Sequence, residues 1–126
     1  MPADSKSTIA ALDALMIRIS AAGAVGVKRA ALAVQAEGMR QTRVLSGTLR
    51  RSWRTESGPN SLGTYAAWTG PTMVYARRLE LGFKGADSLG RVYNQAPKPY
   101  VRPAYETMLS RIPAIVVSSL RQAFKL

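Results

Sequence analysis

Hydrophobic residues recur every three or four positions through the first third of the chain. The large ones are Ile9, Leu12, Leu15, Met16 and Ile19. This spacing predicts an amphipathic helix over residues 8–22, because it places these side chains on one face. Each glycine costs about 1 kcal/mol inside a helix, so we expect a break or a kink near Gly23 to Gly26. A second helix is predicted from Val27 to Arg43, with mostly small residues on its apolar side.

The pattern changes to an alternation of apolar and polar residues after a predicted turn at Ser46–Gly47. The alternation runs imperfectly from Leu49 to Ser57 and predicts a strand. A cluster of turn residues follows over 57–61. Residues 62–69 are rich in Tyr and Trp, and we expect them to pair back as the second strand of a hairpin. Gly70-Pro71 is predicted to end that strand.

A short helix is predicted over residues 73–81, followed by Gly82. We expect this glycine to end the helix in the left-handed conformation, which glycine adopts at little cost. Residues 84–90 contain two glycines and few apolar side chains, so the sequence predicts a mobile loop there. A short strand is predicted over residues 91–95.

Three prolines then fall within seven residues, namely Pro97, Pro99 and Pro103. Each proline fixes its own φ and favours an extended residue before it, which predicts a rigid extended strap over residues 97–102. Pro103 is at a position typical of the first turn of a helix. A long last helix is predicted from there, with a kink near residues 109–113 caused by Pro113.

These elements predict one α+β domain over residues 1–126, in which N-terminal helices and a long C-terminal helix pack on an antiparallel sheet. We expect residues 1–6 to be disordered, because they are polar and terminal. A hydrophobic content of 47% suffices for a core. We expect no membrane association and a cytosolic origin, because no run approaches the roughly 20 apolar residues of a membrane span.

The chain contains neither histidine nor cysteine. It therefore lacks the commonest general base, the commonest metal ligand and any thiolate, so we expect no enzyme, no cofactor and no metal site. Glu80 is the one acid inside a patterned segment. It is interpreted as a base or ligand, or as a structural residue that pairs with Arg77, Arg78 or backbone donors. The structural interpretation is favoured, because no partner nucleophile is visible.

The formal net charge of +11 implies a polyanionic or acidic neighbour. Five arginines fall between residues 40 and 54, with Trp53 among them and no acid: Arg40, Arg43, Arg50, Arg51 and Arg54. Such a segment can hold phosphates and stack a base. The favoured alternative places Trp53 in the core, since an aromatic residue at strand spacing is more often buried. The arginines are then solvated or meet acidic protein surfaces.

Three short motifs follow one another along the chain: Ser46-Gly-Thr-Leu-Arg-Arg-Ser52, Tyr75-Ala-Arg-Arg-Leu-Glu-Leu-Gly82 and Pro97-Lys-Pro-Tyr-Val-Arg-Pro-Ala104. In this order and spacing they resemble the neck and tail-completion proteins of long-tailed bacteriophages. The resemblance implies antiparallel strands with helices packed on them, and assembly into a ring that is expected to be a hexamer. Such proteins end the growing tail tube or complete the neck, so that head and tail can join. The resemblance carries over no catalytic residues.

The resemblance further implies a virion protein of the head–tail junction, assembled in the host bacterial cytoplasm, as a neck protein or a tail terminator. Its expected partners are copies of itself, other connector and tail-tube proteins, and genome DNA passing through the lumen. The candidate interface residues are Arg50, Arg51, Trp53, Arg54, Arg77, Arg78, Lys84 and Arg91. The motif residues are Gly47, Tyr75, Glu80, Gly82, Pro99, Tyr100 and Pro103. The alternative function is that of a small basic cytosolic nucleic-acid-binding protein.

Overall fold

The computed structural model of the chain describes residues 5–42, 47–59 and 64–125. It begins with one long helix, α1 (Ser5–Gln41), so the disorder expected at residues 5 and 6 is wrong. The first four residues, and Arg43 at the predicted helix end, lie outside the described residues. The fold class is α+β, as predicted, with helices at both ends of the chain and antiparallel strands between them.

Helix α1 runs without interruption through Gly23 and Gly26, so the break predicted there is wrong. Gly26 is buried against the C-terminal helix. A methyl group added to it would lie 3.0 Å from the Cα of Val116 and 3.3 Å from the Cβ of Ser119. The glycine therefore permits a close approach of two helices, and their packing offsets its unfavourable helix propensity.

The strand predicted from Leu49 begins instead with a one-turn helix, α2 (Thr48–Arg51). Gly47 precedes it with a φ of 77°, so the predicted turn is confirmed at this glycine, whereas Ser46 lies outside the described residues. The backbone N–H of Arg51 donates to Gly47 O at 3.0 Å, and that of Ser52 donates to Leu49 O at 3.1 Å. These bonds close a turn where the alternation alone suggested extended chain.

Strands β1 (Trp53–Pro59) and β2 (Tyr65–Pro71) form an antiparallel hairpin, as predicted. Their ends differ from the prediction, because β1 extends into the expected turn as far as Pro59 and β2 includes Gly70-Pro71. Residues 60–63 lie outside the described residues. The hydroxyl of Thr55 contacts Thr69 on the neighbouring strand and Gln35 on α1, which ties the hairpin to the helix.

Helix α3 (Ala76–Leu81) lies within the range predicted for it. It is followed by β3 (Phe83–Ala86) and β4 (Val92–Gln95), which pair antiparallel with Phe83 opposite Gln95. The strand predicted over residues 91–95 is therefore confirmed. The loop predicted over residues 84–90 is found only at residues 87–90, because residues 84–86 belong to β3. The described strands form two separate two-stranded sheets rather than one.

Residues 96–99, called the strap below, belong to no helix or strand and lead into α4 (Val101–Met108), which starts earlier than predicted. The strap predicted over residues 97–102 is therefore wrong at residues 101 and 102, which are helical. Pro103 lies in the first turn of α4, as predicted. The single long C-terminal helix of the prediction is divided, since α5 (Ile112–Phe124) starts after a turn at residues 109–111. Pro113 is the second residue of α5, where a backbone N–H would have no partner within the helix. The proline therefore lies at the start of a helix and does not kink one.

The core has two regions on the C-terminal half of α1. In the first, small residues of α1 lie against α4, α5 and β2, and the buried ones are Ala22, Gly26, Ala30, Ala31, Val34 and Gly38. In the second, Trp53 is 1% exposed and packs with Leu49, Ala76 and Tyr100. A methyl group at Gly38 would overlap the indole ring of Trp53, so the tryptophan lies directly on α1.

Candidate assembly surfaces

The motif residues around Glu80 meet in a joint between α3 and α4, called the Glu80 joint below. One carboxylate oxygen of Glu80 accepts hydrogen bonds from the backbone N–H groups of Tyr100 at 2.7 Å and Val101 at 3.0 Å. The other accepts from the N–H of Arg102 at 3.0 Å. Glu80 thereby caps the first turn of α4, whose N–H groups have no partners within the helix. The structural interpretation of Glu80 is confirmed, with backbone donors rather than an arginine as its partners.

Gly82 forms the other side of the Glu80 joint. Its φ of 75° is positive, as expected, but its ψ of 171° is extended, so the predicted left-handed helix end is wrong. A methyl group on Gly82 would lie 2.7 Å from Gln95 O and 2.9 Å from Pro97 N. The glycine therefore lets the strap pass against the end of α3, where the N–H of Lys98 donates to Leu79 O at 2.8 Å.

Tyr100 anchors the Glu80 joint in the core. It is 3% exposed, and its ring meets Trp53 edge-on with 6.3 Å between the ring centroids. Its hydroxyl donates to Ala76 O at 3.4 Å. Burial raises the pKa of Tyr100 to about 12, and interactions with Glu80 and Tyr75 act in the same direction. The neighbouring motif residues are also architectural, since Pro99 lies in the strap and Pro103 in the first turn of α4.

Residues 83–95, called the arm below, extend from the Glu80 joint as the β3–β4 hairpin. Its strands pack mainly on each other, and every residue from 84 to 95 except Asp87 is exposed. Leu89 is 75% exposed and Val92 is 82% exposed. The arm thus presents apolar side chains to solvent beside the exposed cation of Lys84.

Asp87 fixes the turn of the arm. Its carboxylate accepts the backbone N–H groups of Leu89 and Arg91, the guanidinium of Arg91 at 2.7 Å and the hydroxyl of Tyr93 at 3.2 Å. Desolvation acts to raise the pKa of Asp87, but these hydrogen bonds outweigh it and lower the pKa. The same bond to Asp87 raises the pKa of Tyr93. Side chains of the arm itself therefore determine its shape.

The base of the arm is held by an aromatic pair and a cation. The rings of Phe83 and Tyr93 lie 6.1 Å apart, and the guanidinium of Arg78 lies 4.0 Å from the centre of the Phe83 ring. Such a cation–π contact contributes about 0.5–1 kcal/mol at an exposed site. Two predicted interface residues, Arg78 and Arg91, therefore have contacts within their own chain, while Arg77 is exposed on α3.

The remaining predicted interface residues do not form one basic strand. Trp53 is buried and donates its indole N–H to the Thr42 hydroxyl at 2.9 Å, so its place among the interface residues is wrong. Arg54 is exposed and donates to the carbonyls of Arg51 and Trp53. Arg50 is half-buried on α2, and Arg51 is exposed there. The helical turn replaces the alternation that would have aligned these arginines on one strand.

Arg40, the first arginine of the basic cluster, is paired with an acid. Its guanidinium donates to both carboxylate oxygens of Glu37, one turn earlier on α1. The hydrogen bonds from Arg40 and then from Gln41 lower the pKa of Glu37 to about 2. This cation is therefore less available to an outside partner than the sequence suggests.

The N-terminal half of α1 presents a surface that sequence reasoning missed. Every residue from Ser5 to Ala21 is exposed. Four large residues at helical spacing form what we call the apolar stripe: Ile9, Leu12, Met16 and Ile19. The spacing was visible in the sequence and predicted a helix, but it carried no sign that these residues stay outside the core.

Helix α1 is also long and apolar enough to cross a membrane by length and composition, which corrects the expectation that no such stretch exists. The core helix of a soluble protein or a signal sequence passes the same test, so this property alone does not show that α1 spans a membrane.

Within the described residues, no three His, Cys, Asp or Glu side chains are grouped as metal ligands would be. Comparisons with protein-family models, with curated proteins and with solved structures find no match for this chain.

Proposed function

We propose that the chain is a structural subunit of the head–tail connector of a long-tailed bacteriophage. In this proposal it is a neck, tail-completion or terminator protein that forms a ring of copies, caps the tail tube and joins it to the head. It acts by binding and not by catalysis. The observation that carries the proposal is that Glu80 and Gly82 of the second motif and Tyr100 of the third meet in the Glu80 joint, from which the exposed arm extends.

The Glu80 joint and the arm are built to keep a fixed shape. Three charge-assisted hydrogen bonds, the close pass at Gly82 and the buried ring of Tyr100 define where the arm starts. A two-stranded hairpin alone is marginally stable in water, and Asp87 and the Phe83–Tyr93 pair support this one. Prior ordering of the arm lowers the entropic cost of binding through it.

The surface of the arm has the composition of a binding element. Leu89 and Val92 are the most exposed of its large apolar residues, and Lys84 adds a positive charge. In a ring, the arm of each copy would contact a different surface of the next copy, and such a heterologous contact closes when the rotation between copies closes. The two faces of the ring would then meet other connector proteins and tail-tube proteins.

The test is a double substitution, Leu89→Asp with Val92→Asp, which adds two charges to the arm and leaves Asp87 and the Glu80 joint intact. Light scattering at low and high salt is expected to show a discrete, salt-tolerant ring for the parent chain. The variant should lose the ring-sized species without a change in melting temperature.

Val74→Asp is the matched control, because Val74 is 95% exposed and lies outside the arm. It should leave ring formation unchanged. The proposal fails if the double variant still forms rings and still completes tails in a joining assay. It also fails if the parent chain forms no ring, either alone or on isolated tails.

A second candidate function, nucleic-acid binding, is favoured by one observation. Among the described residues, Arg51, Arg54 and Arg77 are exposed and belong to none of the ion pairs. Contacts of these arginines to phosphates would release counterions, so affinity for DNA would fall steeply with salt. A monomer that binds DNA at low salt and releases it at high salt would favour this function. A salt-tolerant ring whose mass is unchanged by DNA would favour the connector.

A further inference from the structure

The apolar stripe continues a face of α1 that is buried farther along the same helix. From Ile9 to Ile19 its residues are separated by three, four and three positions. Continuing the same spacing leads to Gly23, Gly26 and Ala30, of which Gly26 and Ala30 are buried. One face of α1 therefore runs the length of the helix, and only its C-terminal part is covered by the described residues of its own chain.

The change from buried to exposed coincides with the end of α5. Arg18 donates to the carbonyl of Ala123 at 3.2 Å, and its guanidinium lies 4.6 Å from the centre of the Phe124 ring. These two residues belong to the last turn of α5. Residues 5–17 of α1 extend beyond this contact for about 20 Å at 1.5 Å per residue. None of them is buried against any other described element.

We propose that a second copy of this chain covers the apolar stripe, with the stripes of the two copies packed helix against helix. The separation of three and four residues matches the a and d positions of paired helices over two heptads. Alanines beside the stripe, at positions 10, 11 and 14, permit a close approach of the helix axes. Among the other described helices, none exposes four large apolar residues at this spacing, so the best match is the stripe itself.

Charge disfavours two other classes of occupant, an anionic membrane surface and a strongly acidic protein. The charged residues of this half of the helix are Lys6, Asp13 and Arg18, and Arg18 already contacts Ala123 and Phe124. A helix that lies on an anionic membrane usually carries a basic polar face, which this half lacks. The same near-balance of charge offers nothing to a strongly acidic protein. This half therefore carries only one of the eleven net positive charges of the chain.

The pairing is isologous and does not depend on the ring contact proposed above. Two heptads are short for a coiled coil, so we expect a concentration-dependent equilibrium between unpaired and paired species, which are rings for the parent chain and single subunits for the arm variant. When subunits are already held together by another contact, the effective concentration of stripes rises and the pairing strengthens. Pairing of two rings would then double the mass of the assembly.

Two neighbouring residues provide a matched test in the full chain. Met16 is in the stripe and 65% exposed, whereas Ile17 is 69% exposed and points away from the stripe by its position on the helix. Met16→Lys and Ile17→Lys add the same charge at nearly the same exposure, so both variants should fold alike. Sedimentation equilibrium over a range of concentrations should show at least a tenfold weaker dimer for Met16→Lys, and less than a threefold change for Ile17→Lys.

Three outcomes would overturn the pairing. The first is a parent chain that keeps a fixed mass over the whole concentration range. The second is an equal weakening by both substitutions, which would indicate a general charge effect. The third is that the parent chain floats with phosphatidylglycerol vesicles, and that Met16→Lys abolishes this flotation but leaves self-association unchanged. That result would assign the stripe to lipid. Failure of the ring is distinguishable, because Met16→Lys should retain rings and the arm variant should retain the pairing.

Discussion

The two halves of α1 differ in a way that reverses the usual expectation about hydrophobic burial. The C-terminal half buries mainly alanine and glycine, whereas the N-terminal half leaves Ile9, Leu12 and Met16 at least half exposed. The smaller side chains are inside because they let α5 and the Trp53 ring approach the helix axis, as at Gly26 and Gly38. Burial along this helix therefore follows the distance to a neighbouring element and not the hydrophobicity of the residue.

The largest loss of stability should come from removing the Trp53 side chain, which covers part of the C-terminal half of α1. Trp53→Ala deletes a side chain that is 1% exposed and also the indole N–H bond to Thr42. We expect a loss of about 3–5 kcal/mol in the free energy of unfolding. Leu12→Ala is the control on the other half, where Leu12 is 54% exposed, and it should cost less than about 0.5 kcal/mol in dilute protein. Urea unfolding measures both, and similar losses would refute the contrast.

A smaller effect should appear at alkaline pH in the same buried region. An unfolded tyrosine loses its proton near pH 10, whereas burial raises the pKa of Tyr100 to about 12 in the folded chain. The contribution of Tyr100 is therefore fully present below pH 10 and is lost as the pH rises to about 12. It amounts to about 3 kcal/mol at most.

Tyr100→Phe isolates this contribution from the other groups that titrate in the same range. The phenylalanine variant should show a shallower loss of unfolding free energy between pH 10 and pH 12 than the parent chain. Parallel curves for the two proteins would show that the Tyr100 hydroxyl titrates freely. Urea unfolding at a series of alkaline pH values, in buffers of equal ionic strength, makes the comparison.

The smallest effect separates two glycines of α1 that have different surroundings. At Gly23, an added methyl group would meet nothing within 4 Å, so Gly23→Ala should stabilise the chain by about 0.5–1 kcal/mol. At Gly26, the same group would press on Val116, and Gly26→Ala should destabilise it by about 1–2 kcal/mol. Thermal unfolding should therefore give shifts of opposite sign. Shifts of the same sign would show that α1 and α5 are not closely packed.

Sequence patterns predicted those elements whose periodicity is local. The β1–β2 hairpin, helix α3, strand β4 and the place of Pro103 in the first turn of α4 all follow from alternation, helical spacing or proline geometry. The first strand of the arm, β3, was missed because its polar residues and glycines suggest a loop. Its order comes from Asp87, whose carboxylate binds the backbone and side chains of residues up to six positions away.

The candidate site was predicted in part. The role of Glu80 as an acceptor of backbone hydrogen bonds and the burial of Trp53 were both favoured by the sequence, and both are found. The sequence also predicted that Arg50, Arg51 and Arg54 lie on one strand. This arrangement is not found, because Arg50 and Arg51 belong to the helical turn α2. The exposure of the apolar stripe had no signal in the sequence, since the same spacing describes a stripe inside a core.

The sequence by itself determined where helices and strands can form and that the chain is strongly basic, because these follow from side-chain spacing and from charge. It also placed Gly82, Pro97 and Glu80 at distances along the chain that allow the joint to form. Only the tertiary structure decided that α1 is continuous, that its small residues are buried, and that its large ones are exposed. Those outcomes depend on where α5 begins and ends against α1, and this is a long-range packing property that local spacing does not contain.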